Sequence, residues 1–226
     1  MNGEPTAVTL AEEAMLLALD DDSGATGQKD SAAWAVAGGI LLELVLAGRV
    51  AIDNKLIVMV DTTPTGEPLI DAPLAALPGW IGNRAERKRH IVYWLTKEKE
   101  KVIAPTIERL VARGVLVEQK RKAMGLFPVR RYPEADARVE AELRERLNAV
   151  VLGGAEPDTR TAGLVALVHA SKLHASAFPG RRAKDLAPRM EQVADGQWAG
   201  DSVREAIRDM TLVMASATAA TIAAIT

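Results

Sequence analysis

The chain has 226 residues, 48% of them hydrophobic and 26% charged. That is enough apolar material for a packed core in one domain, or in two small ones closely joined, and it excludes disorder over most of the length. There is no cysteine, which excludes disulfides, thiolate metal centres and cysteine nucleophiles. The net charge of −2 conceals an asymmetry. Residues 1–83 hold 3 basic and 12 acidic side chains, residues 84–131 hold 14 basic and 5 acidic, and the remainder is nearly balanced. A strongly basic segment favours an anionic partner such as lipid headgroups, nucleic acid or an acidic protein. The internal alternative sets it against the chain's own acidic first third.

Residues 1–8 read as a flexible N-terminus and 9–226 as one domain. Thr9 to Leu19 is predicted to be a helix: Thr9 caps it, Glu12 completes a capping box, and Leu16, Leu17 and Leu19 supply an apolar face. Ser31 to Ala47 reads as a strongly apolar helix ended by Gly48, with Gly38-Gly39 inside it allowing close approach of another helix. The period then becomes that of strands. "RVAID" and "LIVMVD" flank the turn formers Asn54-Lys55. A Pro-rich loop follows, with one short helix near Leu69 to Leu77.

The second half repeats the pattern. "IVYWLTKEKEKVIAPTIERLVARG" is helical, with Pro105 at a kink or a helix start, and Gly114 matches Gly48. "VLVEQ" and "LFPVRRY" form a second hairpin with KRKAMG at its turn. From Glu134 onward four segments are helical. The last ends in the uncharged tract Met210 to Thr226, slightly short for a membrane span and read as a buried closing helix. The opening residues lack a basic n-region and a cleavage site, so a cytoplasmic protein is expected. The fold class is mainly α: a single helical-bundle domain with two small β-hairpins.

No enzyme site emerges. There is no phosphate-binding loop, no dinucleotide fingerprint and no nucleophile elbow. Asp20, Asp21 and Asp22 fail the calcium-loop spacing, since Gly24 and Ala25 fall at positions five and six. His169 and His174, five apart on a helix, are expected to point in different directions, so no metal site is expected. No catalytic residue and no cofactor is assigned. Trp34, Trp80, Trp94 and Trp198 are expected in the core, with Trp80 the one whose exposure would matter.

The segments "LAEEAMLLALDD", "LLELVLAGRV", "PTGEPLIDAPL", "IERLVARGVL", "GLFPVRRYP" and "GQWAGDSVREAI" occur in an order that resembles the Golgi phosphoprotein 3 family, from about Thr9 to the C-terminus. The Ala-rich, Cys-free composition suits a bacterial member. The resemblance implies a helical bundle ringed by amphipathic helices, with a protruding hairpin. It also implies a non-enzymatic peripheral membrane protein, since eukaryotic relatives bind phosphatidylinositol 4-phosphate and help retain glycosyltransferases. Their headgroup pocket uses a Trp and several Arg. The matching positions here hold Gln28, Ala37, Glu100 and Ile103, so that pocket does not carry over. Lys97, Lys99 and Lys101 lie nearby as alternative headgroup ligands, although an ammonium does not reproduce a forked guanidinium.

The family hairpin does match, at "EQKRKAMGLFP". Lys120, Arg121, Lys122, Arg130 and Arg131 are expected to meet anionic headgroups on the cytoplasmic membrane face. Met124, Leu126 and Phe127 are expected to enter the interface or to make an oligomer contact through the 115–132 hairpin. The partners expected are an anionic membrane lipid and cytoplasmic tails of membrane proteins, with no nucleic acid. The competing reading is a winged-helix-like nucleic-acid-binding protein, because a helix followed by a hairpin occurs twice. Against it stand the lack of a base-reading helix and the acidic first third.

Overall fold

The computed structural model describes residues 8–19, 28–82, 89–123, 127–135, 137–195 and 200–223. Helix α1 (Leu10–Ala18) starts at the predicted capping box: the Thr9 N–H donates to the Glu12 carboxylate at 2.7 Å, and the Glu12 N–H donates to Thr9 Oγ1 at 3.2 Å. All nine residues of α1 are buried, the two glutamates included. An apolar face was predicted; instead the whole circumference is covered. Helix α2 (Lys29–Leu46) packs along it, and Gly39 is the contact point, because a Cβ there would sit 2.7 Å from the backbone nitrogen of Ala11.

Both predicted Gly-capped turns are present, with φ of +66° at Gly48 and +73° at Gly114, a conformation that a side chain disfavours. After Gly48, β1 (Val50–Asp53) pairs antiparallel with β2 (Leu56–Met59). Their two-residue turn has positive φ at Asn54 and Lys55, the geometry that matches strand twist in a tight hairpin. Helix α3 (Pro68–Gly82) is longer than the short helix predicted and buries Leu69, Ile70, Leu74, Leu77 and Trp80. The segment read as one helix divides into α4 (Ile91–Lys99) and α5 (Ile103–Ala112). Pro105 lies in the first turn of α5, where its missing N–H removes no helical bond.

Strands β3 (Gln119–Ala123) and β4 (Phe127–Arg131) form the second hairpin, with Gln119 opposite Arg131 and Lys120 opposite Arg130. Lys120, Arg121 and Lys122 therefore lie in a strand, not in the turn where the sequence placed them. Then follow α6 (Ala137–Val151), α7 (Thr159–Ala170), the single turn α8 (His174–Ala177), α9 (Ala183–Asp195) and α10 (Asp201–Ala223). Helix α9 buries Leu186, Met190, Val193 and Ala194, the one-sided spacing of a helix lying on a core. Helix α10 packs on α2, α4, α7 and α9 and buries Met210, Val213 and Met214. The architecture is mainly α, with α1 and α2 at the centre and two small hairpins at the periphery. No described helix is long and apolar enough to cross a membrane.

Candidate functional site: a cationic corner and hairpin

Much of the charge asymmetry is spent inside the molecule. Arg109 donates from Nε and Nη2 to the two carboxylate oxygens of Glu67 at 2.8 and 2.9 Å. Arg113 bridges Glu67 and the buried Glu12, the latter at 2.9 Å. Burial pushes the Glu67 carboxyl up, but Arg109, the Leu69 N–H and Arg113 outweigh it and hold the group below its ordinary value. Glu13, also buried, is pushed up by desolvation against Arg146 and Arg160. Two cations of the basic segment thus serve as partners for first-third acids around α1. Sequence reading missed this network; its signal was a pair of glutamates inside an otherwise apolar nine-residue helix.

A third cation, Lys99, joins α4 to α2. Its Nζ bonds the Asp30 carboxylate and lies 4.9 Å from the centroid of the Trp34 ring, where the ring's electron-rich face attracts it. Trp34 is 3% exposed, and its Nε1 has no hydrogen-bond partner. Gln28, at the start of α2, makes no side-chain cap bond, so the first-turn N–H groups and the positive end of the helix dipole sit beside Lys99. Lys97 is exposed. Lys101 pairs with the buried Glu98 at 2.9 Å, on the rim of an otherwise apolar groove lined by Ile40, Leu69, Pro73, Val102 and Pro105.

The three lysines therefore collect at the α2–α4–α5 corner. The hairpin cations form a second group at the far end of α5, a ten-residue helix about 15 Å long. Among the described elements, β3 and β4 have extensive contacts only with each other. The strand register sets Lys120 opposite Arg130, and like charges directly opposed on neighbouring strands repel. Phe127 begins β4; Met124 and Leu126 lie outside the described residues.

Of two other expectations, one holds and one changes. Trp80 is buried, 8% exposed. His169 and His174 do not diverge: α7 ends at Ser171, Lys172 turns the chain with φ of +62°, and the rings meet edge to face with Nδ1 of His169 3.1 Å from Nε2 of His174. Among the described residues no group of three or more His, Asp or Glu side chains is arranged to hold a metal ion.

A profile of the family described as Golgi phosphoprotein 3 (GPP34) matches residues 10–210. The chain belongs to the Golgi phosphoprotein 3 family. Membership accounts for the order of elements from the α1 capping box to α10, and it does not favour the winged-helix alternative. The chain is also similar to Vacuolar protein sorting-associated protein 74 of Eremothecium gossypii, at 28% identity over 172 residues, which is 66% of this chain and 50% of that protein. The chain thus matches about half the length of this curated relative.

Proposed function

We propose that this member of the family is a non-enzymatic peripheral membrane protein. It binds anionic lipid headgroups on the cytoplasmic, inner membrane face and serves as an adaptor for membrane-protein tails. The observation that carries the reading is the β3–β4 hairpin, which among the described elements has extensive contacts only within itself and sets Lys120 in register against Arg130. A repulsive cross-strand pair gains stability when an anionic surface lies against it. Lys97, with Lys99 and Lys101 behind it, forms a second cationic contact at the α2–α4–α5 corner. Arg121, Lys122 and Arg131 extend the hairpin contact, and Met124, Leu126 and Phe127 enter the interface between headgroups and acyl chains.

Binding of this kind follows surface charge and not the 4-phosphate of one lipid, because Gln28, Ala37, Glu100 and Ile103 stand where family relatives place a Trp/Arg pocket. Each Lys or Arg near an anionic surface contributes about 1 kcal/mol. Changing Lys120, Arg121 and Lys122 together to Ser therefore weakens binding to phosphatidylserine-containing vesicles by roughly two orders of magnitude. Flotation with anionic and neutral vesicles tests this, with salt raised so that screening falls well inside the roughly 8 Å physiological range. Binding that ignores both salt and the triple substitution, or that requires phosphatidylinositol 4-phosphate, overturns the reading.

A further inference from the structure

The apolar groove where α2, α3, α4 and α5 meet is not used by the membrane contact proposed above. Its volume is about 200 Å³, and it is half-open to solvent. An apolar cavity of roughly 150 Å³ already admits benzene, so a chain of several methylenes fits here. Ile40, Leu69 and Val102 supply the buried side, none of them more than 8% exposed. Pro68, Pro73 and Pro105 supply the outer wall. Pro68 opens α3, Pro73 lies inside it, and Pro105 lies in the first turn of α5. A proline ring fixes φ and carries no N–H, so this wall is stiff and offers no backbone donors. Water finds few partners on such a surface, and hydrocarbon is the favoured filling.

The mouth carries one ion pair. Glu98 is 5% exposed, and its carboxylate lies 2.9 Å from Nζ of Lys101, whose side chain is 54% exposed. Glu98 is thereby neutralised from the solvent side. An ammonium has three N–H donors, so Lys101 can hold Glu98 and still donate outward to a second acceptor. Exposed Glu100 offsets exposed Lys97 nearby, and Lys99 is taken by Asp30. The cationic contact at the mouth is therefore Lys101 itself.

We propose that this groove binds a single-chain anionic amphiphile of the fatty-acid type. Its methylenes lie against Ile40, Leu69, Val102 and the proline wall, and its carboxylate lies on Lys101. The volume holds one chain and leaves no place for a second, so the ligand is a monomer taken from water and not a two-chain bilayer lipid. The site rests on the membrane reading only in taking Lys101 as a cationic contact.

Methyl NMR of the full chain, titrated with hexanoate, octanoate and decanoate as monomers, reads both the place and the strength of binding. The signals of Ile40, Leu69 and Val102 are expected to shift. Affinity is expected to rise about fourfold per added methylene until the groove is full. Ala72 is an exposed residue on the groove, so Ala72→Trp fills it without entering the core. That variant is expected to lose the shifts while its flotation with anionic vesicles is unchanged, which separates this site from membrane attachment. Lys101→Gln is expected to weaken decanoate about fivefold and to leave decanol unchanged, and Lys101→Arg to restore decanoate. Equal affinity for decanol and decanoate in the unaltered protein, shifts confined to other methyl groups, or decanoate binding that survives Ala72→Trp overturns the site.

Discussion

Nδ1 of His169 and Nε2 of His174 share a 3.1 Å hydrogen bond across the α7–α8 junction. Such a bond needs one ring nitrogen to donate and the other to accept, so the pair does not tolerate a proton on both rings. Burial lowers both histidines below the ordinary 6.5, with Glu191 opposing the shift at His169, and with His169 and Lys172 reinforcing it at His174. A depressed histidine takes up fewer protons folded than unfolded, so stability is complete above 6.5 and is lost as pH falls below it. The melting temperature is expected to drop between pH 7 and pH 5.5, at about 2–4 °C per kcal/mol for a chain of this size. His174→Gln is expected to flatten the dependence. An equal slope in both proteins, followed by calorimetry, would place the acid sensitivity elsewhere.

Gly48→Val and Gly114→Val are each expected to destabilise by about 1–3 kcal/mol, because a β-branched residue is forced to a φ near +70°. No atom lies within 4 Å of an added Cβ at either site, so the loss is one of backbone conformation and not of clash. Asn in place of Gly, which tolerates this conformation, is expected to recover part of it. Urea denaturation distinguishes the three residues at each position.

Gly39→Ala tests a different use of glycine. Its new methyl carbon would meet the Ala11 nitrogen at 2.7 Å and the Leu10 carbonyl carbon at 2.9 Å, both backbone atoms that do not move without shifting α1. Forcing one methyl into such a contact is expected to destabilise by about 1–3 kcal/mol. Gly79→Ala, where nothing lies within 4 Å, serves as the control and is expected to leave the unfolding midpoint nearly unchanged.

Glu12→Ala removes the buried partner of Arg113, which is itself only 10% exposed, and the side-chain half of the α1 capping box. Truncating one member of a buried ion pair typically destabilises by about 3–5 kcal/mol. The expected value is near 3 kcal/mol, because Glu67 still holds Arg113. A change below about 1 kcal/mol in equilibrium denaturation would show that the pair is replaceable.

The local rules were legible in the sequence. Thr9 with Glu12, Gly48, Gly114 and Asn54-Lys55 each specify a cap or turn through their own backbone preferences, and each is where it was read. What depends on distant partners was not. The burial of Glu12 and Glu13 has no signature within α1, because nothing there shows that Arg113, Arg146 and Arg160 converge on them. His169 and His174 were placed on one continuous helix, and only the break at Lys172 brings them together. Of the candidate site, the clustering of charge in residues 84–131 was visible, but not its division. Lys99, Arg109 and Arg113 turn inward to Asp30, Glu67 and Glu12, while Lys97 is exposed.

The complete enclosure of α1 has a consequence for how the chain is made. Its nine residues are covered by α2, α5, α6, α7 and α8, and the arginines that neutralise Glu13 arrive only at positions 146 and 160. A ribosome that has finished α1 must therefore synthesise more than half the remaining chain before that helix has its full surroundings. At about 5–20 residues per second, this leaves an apolar helix with two unneutralised carboxylates waiting for on the order of ten seconds or more. Completion of the core is consequently a late, long-range event, and the early helix is a natural client for chaperones during synthesis.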